Sequence, residues 1–461
     1  MCLVQFMERN NSMVLRVGLL LLIAATVLTS TVTNAQEVTQ DVFWSQWRGP
    51  LANGVMPSGD PPVNWSEQQN VRWKVQIPGN GSASPVVWGE KVFVLTAVET
   101  GEASEQAVTR EGFFSSLRRR IVGATAPTEV IRFMVLALAR SDGRVLWQRV
   151  ATEEFPHEGK HQTGTWASPS AVADEEQICA FFGSRGLYCY DHEGQLLWER
   201  DFGDLTIRLG FGEGASPALY GDTIVVNWDH QGQSFITALD KRTGQERWLV
   251  ERDEATSWSS PLIVEHAGRA QVVTSATNRV RSYDLATGEL VWDGAGLTMN
   301  AIPTPVADQG IVFLTSGYRG SRLIAVRLAD AEGDIDETEA IVWSLDRDTP
   351  YVPSPVIHDG ILYLLKSNSG VLSAYDAATG QVVYGPERLP GIKSVYASPV
   401  AAAGRIYIPS REGATLVIQA GLSLNVLSVN MLEDNFDASP ALAGKELYLR
   451  GQKFLYCIAE N

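Results

Sequence analysis

Five arginines stand at corresponding places along this chain. Arg185, Arg279, Arg319, Arg411 and Arg450 each lie in a short loop between two apolar runs, and His230 and Asn368 hold similar places in two further units. Guanidinium forks pair with carboxylates or phosphates through two parallel hydrogen bonds. A second set precedes a recurring Ser-Pro or Thr-Pro step: His161, Thr163, Arg208, Glu213, Trp258, Asn300, Tyr351, Tyr396 and Asp437. Its rings would stack on planar or cationic groups. The chain carries a formal net charge of −16, so clustered arginines are a local reversal of sign. The chemistry they suit is capture of an anionic small molecule or an acidic peptide. The competing reading is arginine as a tolerated turn residue, paired with nearby Asp and Glu.

Other chemistries find less support. His157 and His161 are four apart, a spacing that meets on one face only in a helix, and Gly159 between them argues for a loop. A zinc site with His230 is therefore not expected, and no catalytic residue is assigned. The sequence holds no Gly-x-Ser-x-Gly elbow, no Walker loop and no paired-Cys metal motif. The acidic balance excludes nucleic acid as a partner, because phosphate backbones need a basic surface.

These residues must be positioned by the repeat that contains them. A Ser-Pro or Thr-Pro step recurs at Pro85, Pro169, Pro217, Pro261, Pro305, Pro355, Pro399 and Pro440, with successive spacings of 84, 48, 44, 44, 50, 44 and 41 residues. A period in the forties with several short strands per unit means a radial array. The expected fold is all-β: an eight-bladed propeller of four-stranded antiparallel blades. Loops entering the first strand, and those joining the second to the third, gather at one mouth of such a channel, where both residue sets would meet.

Each unit ends on a turn and an aromatic. Asp240, Thr243, Gly244 and Trp248 recur as Asp284, Thr287, Gly288 and Trp292, and as Asp376, Thr379 and Gly380 with Tyr384 in the place of tryptophan. Drifted copies end on Trp147 and Trp198. The aspartate would hold the turn amides and the glycine its positive φ. The tryptophan would lay its face on the neighbouring unit. The last unit stops after its third strand, and Val71 to Val75 is an orphan fourth strand whose pairing there would close the ring. The long first spacing is read as an insertion at about 99–129, containing a short basic amphipathic segment from Phe113 to Val122. A smaller acidic insertion, Asp330 to Glu339, is read as a solvated loop.

The Ala-x-Asp-x-x-Thr-Gly-x-x-x-Trp pattern, complete from Ala238 to Trp248, resembles the repeat of quinoprotein (PQQ-like) β-propellers. Eight units and an export signal also resemble BamB-like exported propellers, and the opening Trp44-Ser45-Gln46-Trp47-Arg48-Gly49-Pro50, with Phe182-Gly183-Ser184-Arg185-Gly186-Leu187-Tyr188-Cys189-Tyr190-Asp191, is similar to exported PQQ-like repeat proteins. The resemblance implies two functions. One is a non-catalytic scaffold of the periplasm or cell envelope holding an envelope protein or an anionic small molecule, with no cofactor. The other is a quinoprotein oxidoreductase binding pyrroloquinoline quinone (PQQ) with calcium. The quinone enzymes of this fold carry a vicinal cysteine pair that this chain lacks, which favours the scaffold.

Residues 14–32 are almost wholly apolar and Thr33-Asn34-Ala35 supplies small residues, so 1–35 is read as a cleaved secretory signal and 36–461 as the propeller. The uncharged run falls short of the roughly 20 residues a spanning helix needs, leaving no transmembrane span after cleavage and an expected monomer. Cys179 and Cys189 flank a hairpin. A two-residue turn would set their sulfurs on opposite faces, and a three-residue turn would set them opposite one another. Buried free thiols are the expectation, a disulfide the alternative.

Overall fold

The second and third strands of the repeats are largely buried because sheets pack on both of their faces. Thr223–Trp228 and Ile361–Leu365 are buried at every position. The outer strands alternate, as in Glu246–Arg252, because one face meets solvent. The computed structural model, which describes residues 43–103 and 123–460, arranges these strands as eight antiparallel blades. Blade 1 comprises Val86–Trp88, Lys91–Ala103, Glu129–Ala139 and Val145–Glu154, and blade 2 runs from Val172–Ala173 to Leu196–Arg200. Blades 3 to 7 follow with first strands Ala218–Tyr220, Leu262–His266, Val306–Asp308, Val356–His358 and Val400–Ala402. Blade 8 is built from Ala441–Ala443, Glu446–Arg450, Phe454–Ile458 and, as its outer strand, Val71–Gln76. The orphan strand thus closes the ring, with Trp73 opposite Cys457 and Lys74 opposite Tyr456.

Blade-to-blade docking follows the turn motif. Asp240 accepts bonds from the Arg242 and Thr243 amides and the Thr243 hydroxyl at 3.0 to 3.1 Å. Gly244 sits at φ 68°, and a Cβ there would come within 2.5 Å of the Trp198 indole of the preceding blade. The Trp198 Nε1–H donates to Lys241 O at 2.8 Å. The same bond joins Trp73 to Arg140, Trp147 to His192, Trp248 to Leu285 and Trp343 to Ala377. Trp292 departs from the pattern. It is fully buried, its indole N–H without a partner among the described residues, in a cluster with Leu328, Ala331 and Ile335.

That exception comes from the acidic insertion, which is not a solvated loop. Its Gly333–Asp334 segment pairs in parallel with Trp292 and Asp293, adding a fifth strand to blade 4, and Ile335 is wholly buried. The longer insertion begins within blade 1's own ladder, which continues to Ala103 opposite Glu129. Its basic segment from Phe113 to Val122, like the signal segment 1–35, lies outside the described residues.

The hydroxyl before each proline has a task of its own. Ser84 N–H donates to Ser170 Oγ, Ser170 to Ser216 and Ser216 to Ser260, each at 2.9 Å. Thr304 N–H donates to Ser354 Oγ, Ser354 to Ser398 and Ser398 to Ser439, at 2.8 to 3.0 Å. Ser84 Oγ then donates to Ser439 O at 2.9 Å. This belt runs around the inner ends of the blades and corrects the second step of the repeat. Ser170, not Ser168 of the Ser-Pro pair, holds the equivalent position.

The hairpin of blade 2 is also corrected. Cys179 and Cys189 are disulfide-bonded, their Cα atoms 4.0 Å apart. The loop from Phe182 to Gly186 is five residues long, an odd number, so Cys179 falls directly opposite Cys189. Cys457 is the free cysteine among the described residues, and burial pushes its thiol up to about 12.

Candidate functional site: a plugged funnel and a cationic side cavity

The opening segment from Trp44 to Gly54 crosses the channel and bonds to six blades, at their first strands or at the residues just before them. Trp44 O accepts from Val87 N–H, Ser45 O from Ala173 N–H and Gly54 O from Ala401 N–H, at 2.7 to 2.9 Å. Gln46 Oε1 accepts from Leu219 N–H at 2.9 Å, and Trp47 Nε1–H donates to Thr304 Oγ1 at 2.8 Å. Arg48, 1% exposed, donates to Pro399 O at 2.7 Å and Pro355 O at 2.6 Å. Burial without a carboxylate brings its guanidinium down to about 9. Trp47 lines a cavity of about 450 Å³, and Ser45, Gln46 and Pro50 line another of about 800 Å³. The segment therefore divides the channel into two separate mouths.

The 450 Å³ funnel is walled by the loops entering the first strands. Phe211, Trp258, Tyr318, Tyr351 and Tyr396 supply rings, and Ser216, Ser260, Thr304, Ser354, Ser398 and Ser439 of the belt supply hydroxyls. Tyr318 and Tyr351 stack with centroids 4.9 Å apart. Trp258 is fixed by a 2.7 Å bond from its indole N–H to Gly212 O. His161 packs edge-on against Phe211, and its Nδ1 is 2.7 Å from Thr163 Oγ1. Burial, then Arg411 and Lys160, hold the His161 imidazole below its ordinary range.

The two carboxylates of the funnel are already engaged. Glu213 accepts from Ser184 N–H at 2.7 Å and Ser184 Oγ–H at 2.6 Å, and burial pushes its carboxyl above the usual range. Gly183, at φ 59°, makes room for it, since any Cβ there would overlap Glu213 Oε2. Asp437 is clamped by Arg411 through Nε at 2.6 Å and Nη2 at 3.2 Å, and that guanidinium lies 4.0 Å over the Tyr396 ring.

The predicted site residues divide into two groups. His161, Trp258, Tyr351 and Tyr396 meet in the funnel, while Arg411 and Arg450 line an adjoining cavity. The others take structural contacts and line neither cavity. Arg185 pairs with Glu154 and Asp204. Arg279 faces Asp293, Asp334 and Asp336. His230 accepts from Thr206 N–H and lies 3.1 Å from Gln233 O, and Asn368 accepts from Val352 N–H. Arg208 follows the wall without lining either cavity, and Arg319 lies over Tyr318. The three histidines are separately engaged: the His157 ring lies 2.8 Å from Leu205 O. Among the described residues no cluster of His, Cys, Asp or Glu is placed to hold a metal ion. Sequence reasoning missed Trp47, Phe211, Tyr318 and Lys160. Of these, Tyr318 was signalled by Arg319 beside it, and Lys160 by the two histidines around it.

The fold and funnel define a PQQ-like propeller closed by its own N-terminal strand. The model of the family described as outer membrane protein assembly factor BamB matches residues 63–227, 131–385 and 232–459, and the chain belongs to that family. Among solved structures it is similar to BamB from Moraxella catarrhalis, at 13% identity and a TM-score of 0.55, over 83% of this chain and 95% of that one. A europium-containing methanol dehydrogenase matches at 10% identity and TM-score 0.58, over 90% and 91% of the two chains. A quinohemoprotein alcohol dehydrogenase from Pseudomonas putida matches at 11% and 0.54, over 92% and 82%. At these identities the likeness is one of fold. No curated protein matches the sequence. No helix among the described residues is long and apolar enough to cross a membrane.

Proposed function

We propose that this chain is an exported, non-catalytic propeller of the cell envelope whose funnel holds a group presented by a partner protein or small molecule. The observation that carries this reading is the funnel's wall, rings and hydroxyls whose two carboxylates are each committed to internal partners. Such a wall binds by stacking and hydrogen bonding. Its hydroxyl–imidazole pair, Thr163 Oγ1 at 2.7 Å from His161 Nδ1, has no carboxylate among the described residues hydrogen-bonded to the imidazole to orient it for nucleophilic work.

The quinoprotein reading is weaker on chemical grounds. PQQ with calcium needs carboxylates to hold the ion and cations to meet the quinone's own carboxylates. Glu213 and Asp437 have their oxygens occupied by Ser184 and Arg411, so the calcium donor set does not fit. Membership of the BamB family supports the scaffold and the envelope location.

The test places a photo-crosslinking amino acid at Tyr351 in cells and compares it with the same probe at Tyr220, at the opposite mouth. A discrete adduct from Tyr351 in the envelope fraction is expected, weakened by Trp258→Ala. Equal labelling from both mouths, or a chain retained in the cytosol, would remove the proposal.

A further inference from the structure

Beside the funnel lies a polar cavity of about 250 Å³ between blades 1 and 8, whose wall includes Lys160, Arg411 and Arg450. It shares Ser82, Thr163, Gly164 and Asp437 with the funnel. Arg450 is 1% exposed and donates to Gly451 O at 2.8 Å. Its Nε and Nη2 have no hydrogen-bond partner among the described residues. Elsewhere in this chain that same guanidinium edge holds a carboxylate, Asp229 on Arg252 and Asp437 on Arg411.

Asp434 acts on Arg450 electrostatically, but no carboxylate among the described residues hydrogen-bonds it. Asp434 accepts from the Asn435, Lys453 and Phe454 amides, and Asp437 is taken by Arg411. Glu99 is exposed and acts on Lys160. The Lys160 ammonium forms no ion pair among the described residues and lies 5.9 Å over the Trp166 ring. Three cations and two carboxylates, Glu99 and Asp437, line the cavity, and Asp434 acts on Arg450 from outside that lining, on a chain of net charge −16. A desolvated guanidinium with no hydrogen-bonded counter-ion is costly, and its field reaches far through the low-dielectric wall. Burial brings Arg450 down to about 10 although Asp434 opposes the shift, in accord with that cost.

We propose that this cavity is an oxyanion subsite of the funnel. It takes a carboxylate or phosphate whose aromatic or apolar body lies against Trp258, Tyr351 and Tyr396. The inference rests on the binding reading of the funnel and specifies the chemistry of the occupant. Arg411, stacked on Tyr396 and projecting into the side cavity's wall, is the physical link between the two spaces.

The test titrates the full exported chain with benzoate, phenyl phosphate and benzamide, following melting temperature and calorimetric heat. Benzoate or phenyl phosphate should bind saturably and raise the melting temperature, whereas benzamide, of equal shape and no charge, should not. Comparing the two acids separates a carboxylate from a phosphate preference. Lys160→Met should weaken the bound acid about tenfold, the loss of one charge-assisted contact, at unchanged circular dichroism. Equal binding of benzoate and benzamide would overturn the subsite while leaving the funnel reading intact. No binding of either acid, or wild-type affinity in K160M, would overturn it as well.

Discussion

Arg252 and Arg450 are the same residue in opposite circumstances, and the difference separates structure from binding at the scale of single side chains. Arg252 and Asp229 are both fully buried, clamped at 2.8 and 3.1 Å and joined to Thr274 and Tyr283. Asp229→Asn leaves the guanidinium without its counter-charge, and urea denaturation should report a loss of about 3–5 kcal/mol. His161 gives a pH test. Its depressed pKa means that the unfolded chain binds the proton more readily than the folded one. The stability carried by neutral His161 is therefore present above the ordinary histidine range and lost as pH falls through that range toward the depressed value. His161→Gln should flatten that loss between about pH 7.5 and about pH 5.5, as measured by paired denaturation curves. An unchanged slope would show that other groups set it.

At the scale of elements, the turn-and-tryptophan unit was legible because it is local. Asp240, Thr243 and Gly244 make the turn within themselves, and Trp198 finds it one blade away. What the sequence did not disclose depends on neighbours brought in from elsewhere. Arg279 looked like a mouth residue, but two of its three aspartates arrive on an insertion in the next unit. Ser168 carried the proline, yet Ser170 carries the hydroxyl that the adjacent blade uses. The disulfide turned on the parity of one loop. Trp248→Ala should cost about 3–5 kcal/mol, because the indole fills the step onto Gly288 and bonds Leu285 O. Thermal denaturation checks this. Trp292→Phe should be nearly neutral by comparison, since that indole N–H has no partner to lose among the described residues.

At the scale of the whole molecule, two distant pieces of chain finish the ring. Val71–Gln76 supplies the outer strand of blade 8, and the segment around Arg48 ties six blades across the channel. The first was readable as an unpaired strand. The second was visible only as a motif, because nothing local shows that its partners are the inner strands of other blades. Arg48→Leu should lower the melting temperature and leave the Pro355 and Pro399 carbonyls unpaired, a cost of about 1–3 kcal/mol for each buried group. The segment also separates the funnel from the cavity at the opposite end of the channel. The measurement that bears most directly on the account is a titration of the purified propeller with PQQ and calcium, following quinone absorbance and dye reduction with alcohols. A non-catalytic funnel predicts no saturable quinone signal and no turnover. Saturable binding with alcohol-dependent dye reduction would contradict it.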